Sequence, residues 1–407
     1  MESTPPAPAP AAKAADPCEQ HSGSTGFHDA APFEIAAQGQ QLRFLPSGRD
    51  RLKTLCDLLE NATTRIRMCF YIFSDDDTGR RVRDALVAAA ERGVDVHLIV
   101  DGFGADADEA FFSRLRDAGA HYCVFSAKWS RRYLIRNHQK IVLVDGKRAM
   151  IGGFNVEDSY FAAPQDNGWH DLGLVIQGEA VDRLGEWYDE LEEWAAHPKA
   201  QFRDIRRRVR EWDPGDGRVQ LLIGGPTRGL SSWARCVSKD LVEGKRLDMV
   251  MAYFSPSRRL TRRIGRIAEK GEARLIMAGK SDNNATLGAT RSLYNYLLRK
   301  GAELYEFEPC KLHMKLIVVD DAVYVGSANF DMRSLYINLE LMLRIEDAAL
   351  AERMREFIAL HLPASKRITR EYHRSQATLW NRIRWNLSWF LVSVVDYTVS
   401  RRLNLGL

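Results

Sequence analysis

Two short stretches of this chain carry the same three residues at the same spacing. One is His138-x-Lys140-x-x-x-x-Asp145 and the other is His313-x-Lys315-x-x-x-x-Asp320. Each runs into a small-residue turn that ends in asparagine: Gly152-Gly153-Phe154-Asn155 and Gly326-Ser327-Ala328-Asn329. An imidazole changes its protonation near neutral pH, and a lysine two residues away brings a positive charge. Paired His and Lys residues of this kind suit a phosphodiester. A repeated reactive motif also implies a repeated fold, with one site shared between the copies.

The spacing says which of these residues point together. A strand has a side-chain period of two, so His138 and Lys140 face one side, as do His313 and Lys315. Gln139 and Met314 face away. The next four residues in each copy are apolar and read as buried strand, ending in a turn at Asp145-Gly146 or Asp320-Asp321. Each Asp lies five residues after its Lys and falls on the opposite face. Asp145 and Asp320 are therefore expected to anchor turns and not to react. A lone His or Lys on a strand is ordinarily a satisfied core residue or part of a solvated face. That reading would require two buried lysines without a charge partner, which is costly.

The elements around the motifs repeat as well. Residues 65–74 match residues 246–255 in register, and both read as buried strands. Helical segments follow at 79–92 and 257–270, each stopped by glycine, Gly93 and Gly271. Second strands follow at 94–100 and 273–277, then helices at 106–118 and 286–300, then the motif strands. Strands near 41–45 and 218–223 open the two halves. The order strand–helix–strand–helix–strand, present twice, predicts an α/β fold with largely parallel strands. The expected division is a Pro/Ala-rich disordered N-terminus over 1–39, a first half over 40–200, a charged connector over 201–217, a second half over 218–362 and a basic, Trp-rich tail over 363–407. Arg206-Arg207-Arg208 in the connector reads as a solvated linker or exposed helix in preference to an anion site.

At 407 residues, 45% hydrophobic and 28% charged, the chain can hold two ordinary cores. Its net charge is +4, yet residues 366–407 alone carry eight Lys/Arg against two acids. The remainder is slightly acidic. Six cysteines are scattered without a CxxC pair, which argues against a disulfide framework or a zinc knuckle and for free thiols in a reducing compartment. The N-terminus has no apolar core of a signal peptide, and no run of eighteen apolar residues predicts a spanning helix. The segment 374–402 mixes Trp380, Trp385, Trp389, Phe390 and Tyr397 with Arg382, Arg384, Arg401 and Arg402. It suits either an interfacial helix on an anionic bilayer or a helix packed on the core. Lys128-Trp129-Ser-Arg131-Arg132-Tyr133, just before the first motif, could frame the mouth of the site. In a nuclease such residues would track a nucleic-acid backbone.

These motifs resemble those of the phospholipase D superfamily, whose mark is the duplicated HxKxxxxD, and within it the bacterial cardiolipin synthases. The resemblance rests on 137–146, on His313 to Asp320 with Gly326-Ser-Ala-Asn-Phe-Asp331, on Arg333-Ser334 and Asn338-Leu-Glu340, and on Trp169-His170-Asp171. It covers roughly residues 40–362. One departure is Gly153, where the second turn has Ser327. The resemblance implies two pseudo-twofold-related halves, each a mostly parallel sheet flanked by helices, with the active site at their interface. It implies His138 as nucleophile and His313 as general acid/base. Lys140 and Lys315, with Asn155, Asn329 and Ser327, would hold the phosphate oxygens. An acid after each motif, Asp171 and Glu340, would bind the back of that motif's imidazole. With two lysines in this role and no carboxylate cluster for Mg²⁺ or Ca²⁺, no metal or cofactor is expected.

The expected activity is a phosphatidyltransferase that makes cardiolipin through a phosphatidyl-histidine, with phosphatidylglycerol as donor and acceptor. A phospholipase D-type hydrolase or a nuclease could use the same site, and a catalytically dead membrane scaffold is a third class. The expected partners are phospholipids and an anionic membrane surface, not nucleic acid. The expected location is the cytoplasmic face of a bacterial membrane. Oligomeric state is not set by these features.

Overall fold

The computed structural model describes residues 27–105, 107–126, 135–197, 201–227 and 229–396. The first half contains β1 (Phe33–Ala37), β2 (Gln40–Leu45), α1 (Gly48–Glu60), β3 (Arg65–Phe70), α2 (Asp77–Glu91), β4 (Asp95–Asp101), α3 (Glu109–Asp117) and β5 (His121–Phe125). It continues through β6 (Ile141–Val144), β7 (Arg148–Gly152), α4 (Asp158–Phe161), β8 (Trp169–His170), β9 (Gly173–Gln177) and α5 (Ala180–Ala196). The connector forms a helix, α6 (Phe202–Glu211), that buries Ile205 and Val209.

The second half begins with β10 (Val219–Gly224), α7 (Ser232–Glu243), β11 (Arg246–Met251), β12 (Phe254–Ser255), α8 (Arg258–Lys270), β13 (Glu272–Ala278) and α9 (Asn284–Arg299). Then come β14 (Glu303–Phe307), β15 (Lys311–Leu312), β16 (Lys315–Val319), β17 (Ala322–Gly326), β18 (Phe330–Asp331), α10 (Met332–Tyr336) and β19 (Glu340–Glu346). The described chain ends with α11 (Ala348–Ala359), β20 (Ser365–Ile368), α12 (Arg370–Gln376), α13 (Leu379–Phe390) and a wider helical turn, Leu391–Asp396.

The sequence repeat is a repeat of topology. One sheet runs β1-β2-β9-β7-β6-β3-β4-β5 and the other β10-β19-β17-β16-β11-β13-β14-β20. Seven strands correspond in order, from β2 with β10 to β5 with β14. Each sheet packs one face on its own helices, through Leu55, Leu86 and Phe112 in the first half and Trp233, Ile264 and Leu297 in the second. The other faces share a single core, in which Ile141 and Leu174 meet Leu316 and Leu341 along with Trp187 of α5 and Phe357 of α11. One apolar core therefore joins the halves.

The α/β class and the two-half arrangement stand, but the largely parallel sheet does not. Only β3-β4-β5 and β11-β13-β14 run parallel; the other pairings in both sheets are antiparallel. Helical crossovers α2, α3, α8 and α9 permit the parallel pairs. The tight Asp145-Gly146 and Asp320-Asp321 turns force the motif strands into antiparallel hairpins. Residues 33–37 are strand, so the fold begins well before position 40. The β1–β2 turn uses left-handed Gln38 and Gly39.

Asp145 and Asp320 occupy matching left-handed turn positions, with φ of 55° and 48°. The Asp145 carboxylate accepts from the backbone N–H groups of Thr63, Thr64 and Arg65 and from both threonine hydroxyls. Asp320 accepts from Lys245 and Arg246 N–H. Each aspartate thus staples a motif hairpin to the start of the neighbouring strand, away from the imidazoles. The tail forms helix α13, packed on α9. Trp385 is buried and stacks on His373 at 5.2 Å.

Candidate active site

The motif histidines lie just before the strands their motifs enter, where the halves meet. His138 N–H donates to Leu339 O at 2.9 Å, and Asn137 bridges Leu339 in parallel. On the other side, His313 and Met314 N–H donate to His170 O at 2.8 and 3.1 Å, beside the β8–β15 pair. Each motif is therefore held by backbone from the opposite half.

That pairing decides which acid meets which imidazole. Glu340 follows Leu339, and its Oε2 lies 3.0 Å from His138 Nδ1. Asp171 follows His170, and its Oδ2 lies 2.7 Å from His313 Nδ1. The expectation that each acid would back the histidine of its own half is corrected: the carboxylates are exchanged across the interface. Both bonds occupy Nδ1, which leaves each Nε2 as the nitrogen able to react.

The two carboxylates are held differently. Glu340 accepts from Ser327 Oγ at 2.6 Å and Ser334 Oγ at 2.7 Å. Ser327 is thus turned to Glu340 and Leu341 and not toward a phosphate, which corrects its expected role. Asp171 is one methylene shorter and sits against the matching residue, Gly153. A Cβ on Gly153 would stand 2.7 Å from both Asp171 oxygens. The Gly153/Ser327 difference therefore follows the Asp/Glu difference. Asp171 is further fixed by Leu172 N–H at 2.7 Å. The buried Arg51 guanidinium donates to the carbonyls of Asp171 at 2.6 Å and Tyr160 at 2.8 Å.

Both lysines are buried beside the histidines. Lys140 Nζ donates to His138 O at 2.6 Å and lies 5.4 Å from the centre of the Tyr71 ring. Lys315 Nζ donates to His313 O and sits 2.7 Å from His313 Nδ1. The Asp171 carboxylate accepts the hydrogen bond from His313 Nδ1–H, because an ammonium cannot accept one. Asn155 Oδ1 accepts from Ile72 N–H at 3.2 Å, which braces the turn after β3. Asn329 Oδ1 is buried without a protein partner among the described residues.

Burial sets the protonation states. It drives His138 well below the usual imidazole range, helped by Lys140 and Lys315. It lowers His313 to about 3, with Lys315 adding to the shift and Asp171 opposing it. Burial also lowers Lys140 to about 7 and Lys315 to about 8, against the pull of Glu340 and Asp171. Glu340 rises to about 7 by burial, despite Lys140 and the two serines. For Asp171 burial acts the same way, but Lys315, His313 and Arg51 outweigh it and keep the carboxyl below its ordinary value. With both lysines charged and both acids ionised these four groups balance in charge. A bound phosphodiester adds one negative charge, which an imidazole can balance by taking a proton.

Aromatic rings enclose the histidines. Tyr71 lies 5.2 Å from His138, and Tyr160 and Trp169 lie 5.0 and 5.2 Å from His313. Tyr253 is 6.4 Å from His313 and donates to Asp282 at 2.9 Å. Of these rings the sequence motifs contained only Trp169; Tyr71, Tyr160, Tyr253 and Arg51 were missed. Tyr71 and Tyr253 end the two repeated strands one register apart, a signal the repeat did contain. Arg51 has no comparable signal, since its neighbours are ordinary helix residues. The basic stretch 128–133 lies outside the described residues.

Residues 55–194 and 241–361 match the family described as cardiolipin synthase, PLD-like domain. The chain belongs to this family. The cardiolipin synthase resemblance extends to individual relatives. The chain is 30% identical over 376 residues to the major cardiolipin synthase ClsA of Bacillus subtilis (strain 168), covering 89% of this chain and 77% of that protein. It is 31% identical over 324 residues to the cardiolipin synthase of Geobacillus thermodenitrificans (strain NG80-2), covering 76% of this chain and 63% of that protein's length. Among solved structures, phosphatidylserine synthase of Haemophilus influenzae Rd KW20 superposes with a TM-score of 0.71 at 14% identity, covering 93% of this chain and 98% of that one. At that identity the likeness speaks for the fold: a two-lobed phospholipase D architecture.

Proposed function

We propose that this cardiolipin synthase-family chain transfers a phosphatidyl group between phospholipids through a covalent histidine intermediate. His138 Nε2 attacks the phosphorus of the donor, most simply phosphatidylglycerol. The bond to the headgroup oxygen breaks, and His313 gives that alkoxide its proton. The product of this step is phosphatidyl-His138 and a free alcohol. A second phosphatidylglycerol then enters, His313 takes the proton of its hydroxyl, and the oxygen displaces His138 to form cardiolipin. Lys140 and Lys315 offset charge on the non-bridging oxygens throughout.

The observation that carries this reading is the pair of imidazoles, His313 buried and His138 mostly so, each backed by a carboxylate of the opposite half, between two buried lysines. The role assignment rests on their inequality. The His138 side chain is 12% exposed and that of His313 5%. Asp171 is the carboxylate kept ionised, which favours the protonated imidazole a general acid needs at His313. We further propose that the protein works as a peripheral enzyme on the cytoplasmic face of an anionic bilayer. No helix of the described residues is long and apolar enough to cross a membrane.

Incubation with labelled phosphatidylglycerol in vesicles tests the proposal. A two-lipid product that disappears in His138→Ala and His313→Ala is expected. Phosphatidic acid alone would show a hydrolase, and shortened oligonucleotides in a parallel incubation would show a nuclease. Normal product from either histidine variant would overturn the mechanism.

A further inference from the structure

Large apolar side chains exposed to solvent are concentrated in one place. Of eleven such residues among those described, seven lie between 379 and 395: Leu379, Trp380, Ile383, Leu387, Phe390, Leu391 and Val395. The other four are scattered singly through the chain. At about 100° per residue, the six from Leu379 to Leu391 occupy an arc of about 120° on α13 and its extension. The opposite side of the helix is packed. Trp385 is buried against His373, and Ser388 packs so closely on α9 that a Cβ at Gly288 would stand 2.6 Å from its hydroxyl. The stripe is therefore not the helix's core-facing side. It is a second apolar face that nothing among the described residues covers.

Its surroundings are basic. Arg382 and Arg384, both exposed, flank the stripe on α13. Arg258 of α8 lies 5.3 Å from the centre of the Trp389 ring, which brings α8 alongside. That helix carries Arg258, Arg259, Arg262, Arg263, Arg266 and Lys270 against a single acid, Glu269, already paired with Lys300. Arg258, Arg262 and Arg266 follow one another at the four-residue spacing of one helix face, and all three are exposed.

An apolar ridge carrying Trp and Phe, bordered by a field of arginines, fits one occupant by charge and by shape. We infer that α13, its extension and the exposed face of α8 form the docking surface for an anionic lipid bilayer. The apolar residues enter the acyl boundary and the arginines meet lipid phosphates. This inference rests on the phospholipid reading of the active site and adds a face to it. The placement also serves that site. Ser393 Oγ donates to Ser255 O at 3.4 Å, two residues after Tyr253, whose ring faces His313. Tyr253 is also tied to Asp282, just before α9. The docking helix therefore leans on the same short segment that walls the reacting histidine.

The test is flotation of the full chain with vesicles of phosphatidylcholine, with and without two-fifths phosphatidylglycerol. Wild type should float with the anionic vesicles and remain largely free with neutral ones. Ile383→Glu/Leu387→Glu alters only exposed positions and should lower binding at least tenfold. Arg258→Gln/Arg262→Gln/Arg266→Gln should abolish the preference for anionic vesicles. Both variants should keep wild-type turnover on lipid dispersed in detergent, which distinguishes lost docking from a lost site. Wild-type flotation by the glutamate variant overturns the inference. So does a wild-type dimer in sedimentation that the glutamate variant abolishes, with no vesicle binding by either. Vesicle binding without any lipid product would instead sink the functional reading and leave the docking surface intact.

Discussion

Glu340→Gln isolates the exchanged carboxylates. Glutamine matches glutamate in shape, so it can still meet Ser327 and Ser334, but it carries no charge. In the proposed first step His138 becomes a phosphorylated imidazolium, with its Nδ1 proton pointing at Glu340 from 3.0 Å. Losing a charge-assisted hydrogen bond costs about 1.5–3 kcal/mol. An amide nitrogen turned to Nδ1 would also favour the tautomer with its proton on Nε2, where attack must occur. Taking the two effects together as about 3–5 kcal/mol, kcat should fall roughly 150- to 5000-fold. The loss should not come from unfolding. Burial raises Glu340 to about 7, so its ionised form costs stability as pH rises from its unfolded value toward 7. A neutral glutamine avoids that cost, and at pH 8 the variant should be at least as stable as wild type.

The assay has two parts. Product formation on phosphatidylglycerol vesicles gives kcat. Proton NMR of the resting enzyme follows the hydrogen-bonded Nδ1 protons of the two imidazoles. Glu340→Gln should remove the His138 resonance and spare that of His313, and Asp171→Asn should do the reverse. Activity within threefold of wild type would refute the role of Glu340. Loss of the His313 resonance in Glu340→Gln would refute the exchange itself.

Gly153→Ala should push Asp171 off His313, since the new Cβ would stand 2.7 Å from both carboxylate oxygens; kcat should fall at least 100-fold with the fold retained by circular dichroism. Ser327→Ala removes only one of two hydroxyls on Glu340 and should cost about tenfold, consistent with one hydrogen bond of about 1.5 kcal/mol. Lys140 at about 7 and Lys315 at about 8 must be protonated to hold phosphate, so kcat/KM should decline as pH rises through 7 to 8. Bound phosphate stabilises both ammonium groups, so the matching limb in kcat should lie at least one pH unit higher, as a pH series would show. Asp145→Ala should lower stability by about 2–4 kcal/mol in urea titration, from lost charge-assisted hydrogen bonds, with kcat of the folded protein within threefold. The Asp145 carboxyl is held below its ordinary 3.8, so this deficit should be full above that pH and narrow as pH falls below it.

Much of this arrangement was legible because the chain repeats. The matching strand at 65–74 and 246–255, the helices stopped at Gly93 and Gly271, and the order of elements all reappear in the two sheets. Strand direction was less legible. Apolar runs do not distinguish a strand that returns through a hairpin from one that returns through a helix, and the Asp145-Gly146 turn was the clue that outweighs the βα rhythm. The acids at the site were visible as Asp171 and Glu340, but their partners were not. Which histidine each one meets depends on the contact of Leu339 with His138 and of His170 with His313, both across the interface. Local spacing holds no information about a partner more than 140 residues away. Ser327 was misread for a related reason: a hydroxyl in a glycine-rich turn suggests a ligand, and only the buried Glu340 beside it shows another claimant.

A duplicated fold supplies two similar histidines, whereas the proposed two-step transfer needs them to differ. The difference resides in what stands behind each ring. Glu340 is long, shares its oxygens with two serine hydroxyls, and is raised to about 7 by burial. Asp171 is short, lies close against Gly153, and is kept ionised by Lys315, His313 and Arg51. An imidazolium is therefore better supported at His313 than at His138, and a neutral, attacking imidazole is better supported at His138. The Gly153/Ser327 departure from symmetry belongs to the same difference. A serine at 153 would displace the aspartate, and a glycine at 327 would leave the glutamate without one of its two hydroxyls. The proposed roles of the two halves thus rest on one methylene in a carboxylate and one hydroxyl in a turn, each placed by the opposite half of the fold.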